Sequence, residues 1–329
     1  MAVVLASCGS GDSEPQSRST APGDDASAAA ELVPMKIAIP NVNSAFVNVL
    51  LAKEAGLFEE NGLDVELVTM SSPTIAPALV KGDVDLTAGI GSASNAARAG
   101  LPITIVAATM GGADYTVVAD KSLSEPEDLA GQTFVTGPAT STPGVMANAI
   151  LDKFGVLDDV KIANIDDTAT RVTQLTSGKV KAGLVNLDGA LRLIAANDNL
   201  HLLAEPADFP ALPFTGLAGT DTYLKQNPDL VEKAIRASLQ AGQMLLDEPA
   251  ESAQLLSEVL DLPVEQAEQV RELMAEQVIV DGTPDEELIA SDAELASLTS
   301  GEEVTVEDLK EHYDFSIVER VADELSLKS

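Results

Sequence analysis

The sequence has little basic charge to set against its many acidic residues. Its 329 residues include 19 lysines and arginines and 53 aspartates and glutamates, which give a net charge of −34. This excess of negative charge repels nucleic-acid phosphates and anionic lipid surfaces, so we expect no nucleic-acid partner. We interpret the charge as a property that keeps an exported protein soluble.

Aromatic residues, histidines and long apolar runs are also scarce. There is no tryptophan and aromatics make up 3% of the chain, which excludes an aromatic-rich carbohydrate binder or a stacking platform for single-stranded nucleic acid. No run of eighteen apolar residues is present, so no ordinary membrane span is expected. The two histidines, His201 and His312, lie far apart without ligand-spaced partners. We therefore predict no metal site, no cofactor and no catalytic residues.

One pattern occurs twice, in residues 35–89 and 132–185. In each copy a strand leads through a polar loop to a helix, then to a second strand and a short helix that ends in Leu-x-x-Gly-x-Val. The copies of that last motif are 96 residues apart: Leu79 and Leu175, Gly82 and Gly178, Val84 and Val180. The repeat predicts two similar α/β lobes that face a cleft, where ligands bind at the carboxyl ends of the strands.

We expect the chain to consist of a tether and two lobes. Residues 35–119 together with 219–329 are predicted to form lobe 1, and residues 120–218 are predicted to form lobe 2. From Thr220 onward the sequence is typical of successive helices.

The single cysteine, Cys8, follows a short apolar run with small residues, Leu5-Ala6-Ser7. Residues 9–34 are predicted to be a flexible tether, because most of them are Ser, Gly, Pro, Asp and Ala without periodicity. One alternative is an ordinary cysteine in a disordered tail, but an exposed free thiol is a reactive liability. The run resembles the lipobox of bacterial lipoproteins, which implies that Cys8 is lipidated and that residues 1–8 are the end of a truncated lipoprotein signal.

Two polar loops that follow strands are candidates for ligand binding. The segment from Gly89 to Ser94 and the segment Thr140-Ser141-Thr142 each open a helix, where free amides can hold an acidic group or a hydroxyl. The first segment lacks the third glycine and the acidic residue of a dinucleotide site. Ordinary helix capping is the alternative for any single Ser or Thr. Equivalent loops in both copies of the repeat favour convergence on one ligand.

Two charged residues leave alternatives open. Asp188 follows a buried strand beside Asn186, so it can either cap the next helix or bind an amine or heterocycle nitrogen of a ligand. Arg171 can pair with a ligand carboxylate, or with Asp166 or Asp167.

We predict that hydrogen bonds from thirteen residues hold the ligand. The segment Met110-Gly111-Gly112 is expected to break a core strand, and Met110 is among the predicted residues. The predicted ligand-binding residues are Asn41, Asn43, Ser44, Ser72, Gly91, Ser92, Ala93, Met110, Thr140, Ser141, Thr142, Asn186 and Asp188.

Five stretches spread over residues 35–327 carry a family resemblance: Ala52-Lys-Glu-Ala-Gly-Leu-Phe-Glu-Glu-Asn-Gly-Leu-Asp-Val-Glu-Leu-Val68, Ala78-Leu-Val-Lys-Gly-Asp-Val-Asp-Leu86, Asp128-Leu-Ala-Gly131, Asn227-Pro-Asp-Leu-Val231 and Tyr313-Asp-Phe-Ser316. They resemble the solute-binding proteins of bacterial ABC importers, in the nitrate/sulfonate/taurine and thiamine-pyrimidine-precursor superfamily. The resemblance implies the type II periplasmic-binding-protein fold, α/β, with two lobes, each a mixed sheet flanked by helices, and a helical C-terminal region. It also implies closure of the lobes on a small molecule.

The resemblance further implies a monomeric, extracytoplasmic protein, lipid-anchored through Cys8 to the outer face of the bacterial cell membrane. Its partners would be a small sulfonate, carboxylate or pyrimidine precursor and a membrane permease with its ATPase subunit. The alternatives are an enzyme that makes the pyrimidine precursor and a ligand-dependent sensor. That enzyme branch needs a Cys-rich segment, which this sequence lacks, so we expect a binding protein and no enzyme.

Overall fold

The computed structural model describes residues 31–139, 141–165 and 167–327. The expected lipidation site Cys8, signal residues 1–8, most of the expected tether, and Thr140 lie outside these described residues. Within the described ranges, each helix is too short or too polar to cross a bilayer.

The first sheet contains five strands among the described residues: β1 (Val33–Ile39), β2 (Leu63–Thr69), β3 (Leu86–Thr87), β4 (Ile103–Gly112) and β10 (Ala211–Thr220). Their order across the sheet is β2-β1-β3-β10-β4. Parallel neighbours need crossover connections, and the connecting helices are α1 (Val47–Glu54), α2 (Leu57–Glu60), α3 (Ser72–Lys81) and α4 (Ile90–Arg98). β1, β2 and β3 are parallel, and β10 is antiparallel to both β3 and β4.

The second sheet repeats this arrangement. In the described part of the chain its strands are β5 (Tyr115–Asp120), β6 (Thr133–Thr136), β7 (Lys161–Asn164), β8 (Ala182–Asn186) and β9 (Leu200–Ala204). Its order is β7-β6-β8-β5-β9, with β6 parallel to β7 and β8 and with β5 antiparallel to its neighbours. The helices are α5 (Thr142–Lys153), α6 (Thr168–Thr176) and α7 (Leu187–Ala196). The predicted α/β fold of two helix-flanked mixed sheets is therefore confirmed.

The chain crosses between the sheets earlier than the expected boundaries at 119/120 and 218/219. It leaves the first sheet at Gly112 and enters the second at Tyr115, then returns between Ala204 and Ala211. The antiparallel strands β5 and β10 are the strands that arrive from the other sheet. Both strands are largely buried apolar runs, so their sequences fit either sheet and do not reveal the pairing partner.

Two further expectations are corrected by strand pairing. The tether was expected to reach residue 34, but Val33 and Pro34 already pair with β2. Met110-Gly111-Gly112 was expected to break β4, yet the strand continues to Gly112. A side chain at Gly112 would collide with the side chain of Gln277, because a Cβ there would lie 1.8 Å from its Oε1. A larger residue at this position would require the Gln277 side chain to move.

The C-terminal region is helical, as predicted. Its helices are α8 (Asp221–Gln226), α9 (Pro228–Asp247), α10 (Pro249–Leu260), α11 (Val264–Ala275), α12 (Glu286–Ser300), α13 (Val306–Lys310) and α14 (Ser316–Leu325). Helix α9 packs against α1 and α14 around the core of the first sheet, in which Phe58 and Leu50 are buried. A separate core around Phe134 and Met146 supports the second sheet. Helix α12 contacts both β10 of the first sheet and α5, a helix that follows β6 of the second sheet.

Candidate functional site

A cavity of about 550 Å³ is lined by elements of both sheets. Its wall includes residues that follow β1, β2 and β3 in the first sheet and β6 in the second, together with the last residue of β8. These are the carboxyl ends of the parallel strands, where ligands of open α/β sheets bind. The duplicated topology therefore forms one cavity from equivalent loops.

Of the thirteen residues predicted from the sequence, eight line this cavity: Asn41, Asn43, Ser72, Gly91, Ser92, Ser141, Thr142 and Asn186. Ser72 is the first residue of α3 and follows the N-cap residue Ser71. Ala93 and Met110 are buried in the hydrophobic cores behind the wall. Met110 belongs to the continuous strand β4, and its side chain packs in the core of the first sheet.

The amino ends of two helices contribute to the wall. Helix α4 begins after Gly89, and helix α5 begins after Ser141, whose hydroxyl accepts a hydrogen bond from the Gly144 amide at 3.4 Å. Ser92 donates to the Gly89 carbonyl at 2.9 Å. Gly144 is required at its position because a Cβ there would lie 2.0 Å from the Pro138 carbonyl oxygen. The unsatisfied amides and dipoles of these helix ends favour a negative or acceptor group in the cavity.

Ser44 and Asp188 do not line the cavity but belong to a buried polar network behind it. The Ser44 hydroxyl lies 2.7 Å from Asp114 Oδ2 and 3.2 Å from Asp188 Oδ1, and its single proton bonds the nearer carboxylate. Asp188 Oδ2 accepts from Arg192 at 2.7 Å. Asp188 is neither the cap of α7, which is Asn186, nor a group in the cavity wall. Asp188 forms an ion pair with Arg192 instead of capping the helix or lining the cavity.

Asp114 occupies the first crossing between the sheets and lines the cavity. Its carboxylate also accepts from Asn186 Nδ2 at 2.9 Å, so it joins residues from both sheets. Burial raises the pKa of Asp114 to about 6, against hydrogen bonds from Ser44 and Asn186 that lower it. The sequence analysis did not single out Asp114, although a lone acidic residue within the apolar run 103–119 was a usable signal.

Arg171 places a buried guanidinium in the cavity wall, with only 8% of the residue exposed. Its Nη1 donates to the Ile165 carbonyl at 2.7 Å. Asp167 caps α6 by accepting from the Thr170 amide, and hydrogen bonds from Thr170 hold the pKa of Asp167 below its usual range. Asp166 lies outside the described residues. The charge of Arg171 in the cavity wall makes it a candidate partner for an acidic group of a ligand.

An apolar part of the wall contains Phe46, Tyr115 and Phe214. The Tyr115 and Phe214 rings meet edge to face, with centroids 6.2 Å apart. Burial raises the pKa of Tyr115, so its hydroxyl stays protonated at neutral pH. These rings give the cavity an apolar surface for the body of an organic ligand, which the sequence analysis did not anticipate.

Helix α12 adds Asp292, Leu295, Ala296 and Thr299 to the wall. Asp292 Oδ2 accepts from the Tyr313 hydroxyl at 3.2 Å. Burial raises the pKa of Asp292 to about 6, while the Tyr313 hydrogen bond and the charge of Arg98 oppose this increase. The sequence analysis did not single out Asp292, which is one of four acidic residues in this helix.

A metal centre has no candidate within the described residues, where no group of three His, Cys, Asp or Glu side chains is placed to hold an ion. The cavity instead combines one cation, two carboxylates, hydroxyl and amide groups and an aromatic surface. Such a wall can hold a small organic molecule by hydrogen bonds and apolar contact.

Comparison with solved structures shows the same fold. The alkanesulfonate-binding protein SsuA from Xanthomonas axonopodis pv. citri, bound to MOPS, superposes with a TM-score of 0.64 at 19% identity, over 85% of this chain and 99% of that one. The periplasmic nitrate-binding protein NrtA from Synechocystis PCC 6803 gives a TM-score of 0.65 at 15% identity, over 90% and 89%. A C27S mutant of DSZB in complex with biphenyl-2-sulfinic acid gives 0.66 at 15% identity, over 88% and 99%.

Comparison of the sequence with models of protein families identifies the family of this chain. No curated protein matches the sequence. Residues 43–252, more than half of the chain, match the model of the family described as NMT1/THI5 like. This segment contains both copies of the repeat except for the first strand, and most of the cavity wall. The chain belongs to the NMT1/THI5-like family.

Proposed function

We propose that this protein is an extracytoplasmic solute-binding protein that captures a small organic molecule between its two lobes and delivers it to an ABC importer. The observation that carries the proposal is the single cavity wall formed by equivalent loops of two duplicated sheets. Structural neighbours described as sulfonate-binding and nitrate-binding periplasmic proteins support it.

Capture would proceed by hinge closure about the two crossings near Asp114 and between residues 204 and 211. A ligand that touches both lobes stabilises the closed state in proportion to its preference for that state. The cavity volume of about 550 Å³ suits a small organic molecule. Loops from both sheets face this volume, so one bound molecule would contact both lobes.

The ligand chemistry follows from the wall. Arg171 and the amino ends of α4 and α5 favour an acidic or acceptor group, while Phe46, Tyr115 and Phe214 suit an apolar body. A sulfonate, a carboxylate or a pyrimidine precursor satisfies these features. The eight predicted residues that line the cavity, together with Thr140, remain our proposed binding set, with Asp114, Tyr115 and Arg171 added to it.

Localisation and partners complete the proposal. The lipobox-like sequence before Cys8 supports a lipid anchor on the outer face of the bacterial cell membrane. The closed monomer would dock on a membrane permease whose ATPase subunit drives uptake. The assignment as a binding protein and not an enzyme rests on the sequence, because its one cysteine, Cys8, lies outside the region that matches the family.

The test joins ligand identification with transport. The purified full chain is analysed by native mass spectrometry and then by thermal shift against small sulfonates, carboxylates, pyrimidines and amines. A saturable increase in melting temperature identifies the ligand. Uptake of that compound by cells is then compared with and without the gene. Loss of uptake supports the importer role, binding without loss of uptake favours a sensor, and turnover of the compound favours an enzyme.

A further inference from the structure

The cavity wall contains more acceptors than a receptor for a simple anion needs. Among the described residues that line it, Asp114 and Asp292 are acidic and Arg171 is a cation, and the charge of Arg98, outside the lining, also acts on Asp292. The whole protein, these residues included, has a net charge of −34. A nitrate or a simple sulfonate entering this wall would approach two carboxylates, and repulsion in a partly buried site is costly.

Asp292 is held in place by its surroundings. It lies on α12, which packs on β10 and α5, and the hydroxyl of Tyr313 donates to its Oδ2 at 3.2 Å. Tyr313 is itself fixed against β4, because Ile105 bonds the flanking His312 carbonyl and Asp314 amide at 2.9 Å each. Among the described residues, no other donor bonds the Asp292 carboxylate, which has about four acceptor positions. A positioned carboxylate with unused acceptor capacity therefore lines the cavity.

Asn43 supplies a second unused acceptor. It lies in the cavity wall, and its Oδ1 is buried without a hydrogen-bond donor from the described residues. Asn43 also precedes a 3₁₀ turn without using its side chain to cap it. A buried carbonyl oxygen with no donor is unfavourable, so a ligand donor would relieve this cost.

We infer that Asp292 is a specificity-determining residue that selects a ligand carrying an N–H donor, either an ammonium or a ring amino group, over a simple anion. This inference rests on the proposed solute-binding function and names the ligand group that the site requires. The N–H group would bond Asp292, with Asn43 as a further acceptor, while Arg171 and the helix ends would face an acidic or acceptor group on the same molecule. Asp292 lies outside residues 43–252, so the match to the family does not include it.

Matched ligand pairs test the inference on the full chain. The ammonium arm compares 2-aminoethanesulfonate with ethanesulfonate, and the ring arm compares 4-aminopyrimidine with 4-methylpyrimidine, by isothermal titration calorimetry. In at least one arm the donor-bearing compound should bind about 10-fold or more tightly than its partner, because a hydrogen bond to a charged group is lost. The arm that responds identifies which nitrogen group is recognised.

Two variants assign the preference to Asp292. Asp292→Asn keeps an oxygen for Tyr313 but removes the charge, and it should lower affinity for the donor-bearing compound about 10-fold while changing that of its partner about twofold at most. Glu294→Gln, on the exposed side of the same helix, is the matched control and should change neither affinity.

The outcomes separate this inference from the proposed function. Equal binding within both pairs, tighter binding of the donor-free members, or equal effects of Asp292→Asn and Glu294→Gln overturn the inference and leave the binding protein standing. Binding of other compounds in the wider panel, with neither donor-bearing probe bound, also overturns it. Failure of every compound to bind overturns the proposed function and the inference together.

Discussion

The Ser44 hydroxyl donates to Asp114 Oδ2 over 2.7 Å and so joins the loop after β1 to the first crossing between the sheets. Both residues are fully buried. Asn186, at the end of β8, donates to the other oxygen of the same carboxylate. The crossing at which we propose that the lobes move is therefore held by hydrogen bonds from both sheets.

Removing this hydroxyl should destabilise the protein. Ser44→Ala leaves the buried Asp114 carboxylate with one donor fewer, and we expect a loss of about 1–3 kcal/mol in the free energy of unfolding. Urea unfolding at neutral pH measures it. The exposed Ser177→Ala is the control and should change the free energy of unfolding by about 0.5 kcal/mol at most. Equal effects of the two variants would show that the Ser44–Asp114 bond contributes nothing specific.

Asp114 should make stability depend on pH in an unusual direction. Burial raises its pKa from 3.8 to about 6, so between these values the folded protein binds more protons than the unfolded chain. Its contribution to stability is complete below about pH 4 and is lost as the pH rises through about 6. Asp114→Asn should remove about 3 kcal/mol of this decline relative to wild type. Urea unfolding from about pH 4 to about pH 7 measures this decline.

The exposed Asp64→Asn is the control and should leave the pH dependence of the free energy of unfolding as it is in the wild type. The same unchanged pH dependence in Asp114→Asn would refute the raised pKa of Asp114.

Bulk at the two amino-terminal loops should block the cavity. Ser92 and Ser141 lie at the starts of α4 and α5 in the wall. Changing both to Phe should reduce ligand affinity about 100-fold or more, since the rings occupy ligand volume. Calorimetry with the compound identified by thermal shift measures this loss. Ser177→Phe controls for an added surface ring, and circular dichroism checks the fold. Undiminished affinity in the folded double variant would remove these loops from the site.

The charge of Arg171 should matter more than its shape. Arg171→Gln is expected to lower affinity for an acid-bearing ligand about 10-fold or more, because the partly desolvated cation in the wall is lost. Arg171→Lys should recover part of that affinity. Titrations against an acid-bearing compound and its neutral amide separate charge from packing. Equal losses for both ligands would indicate a structural role only.

Much of the fold was predictable from the sequence because it depends on local patterns. The Leu-x-x-Gly-x-Val motif marked the same helix end in both lobes, and Gly82 and Gly178 indeed adopt positive φ there. The pairing of β5 and β10 was not predictable. Their largely buried runs carry no information on which sheet accepts them, so the crossings were placed too late in the chain.

The cavity wall was predictable where it depends on loops after strands and not where it depends on tertiary packing. Ser92 and Ser141 were expected in the wall because small polar residues open helices at strand ends. Ser44 was also polar and followed a strand, yet its hydroxyl faces Asp114 behind the wall. Asp292 comes from a distant helix, and only its packing on β10 and α5 brings it into the cavity.

Native mass spectrometry of the purified full chain tests the central claim most directly. The account predicts that a small molecule is retained on the wild-type protein or is taken up from the ligand panel with one-to-one stoichiometry, and that the Ser92→Phe/Ser141→Phe protein loses it. A chain that stays unliganded with every compound, and whose melting temperature never rises, would contradict the claim that this cavity captures a solute.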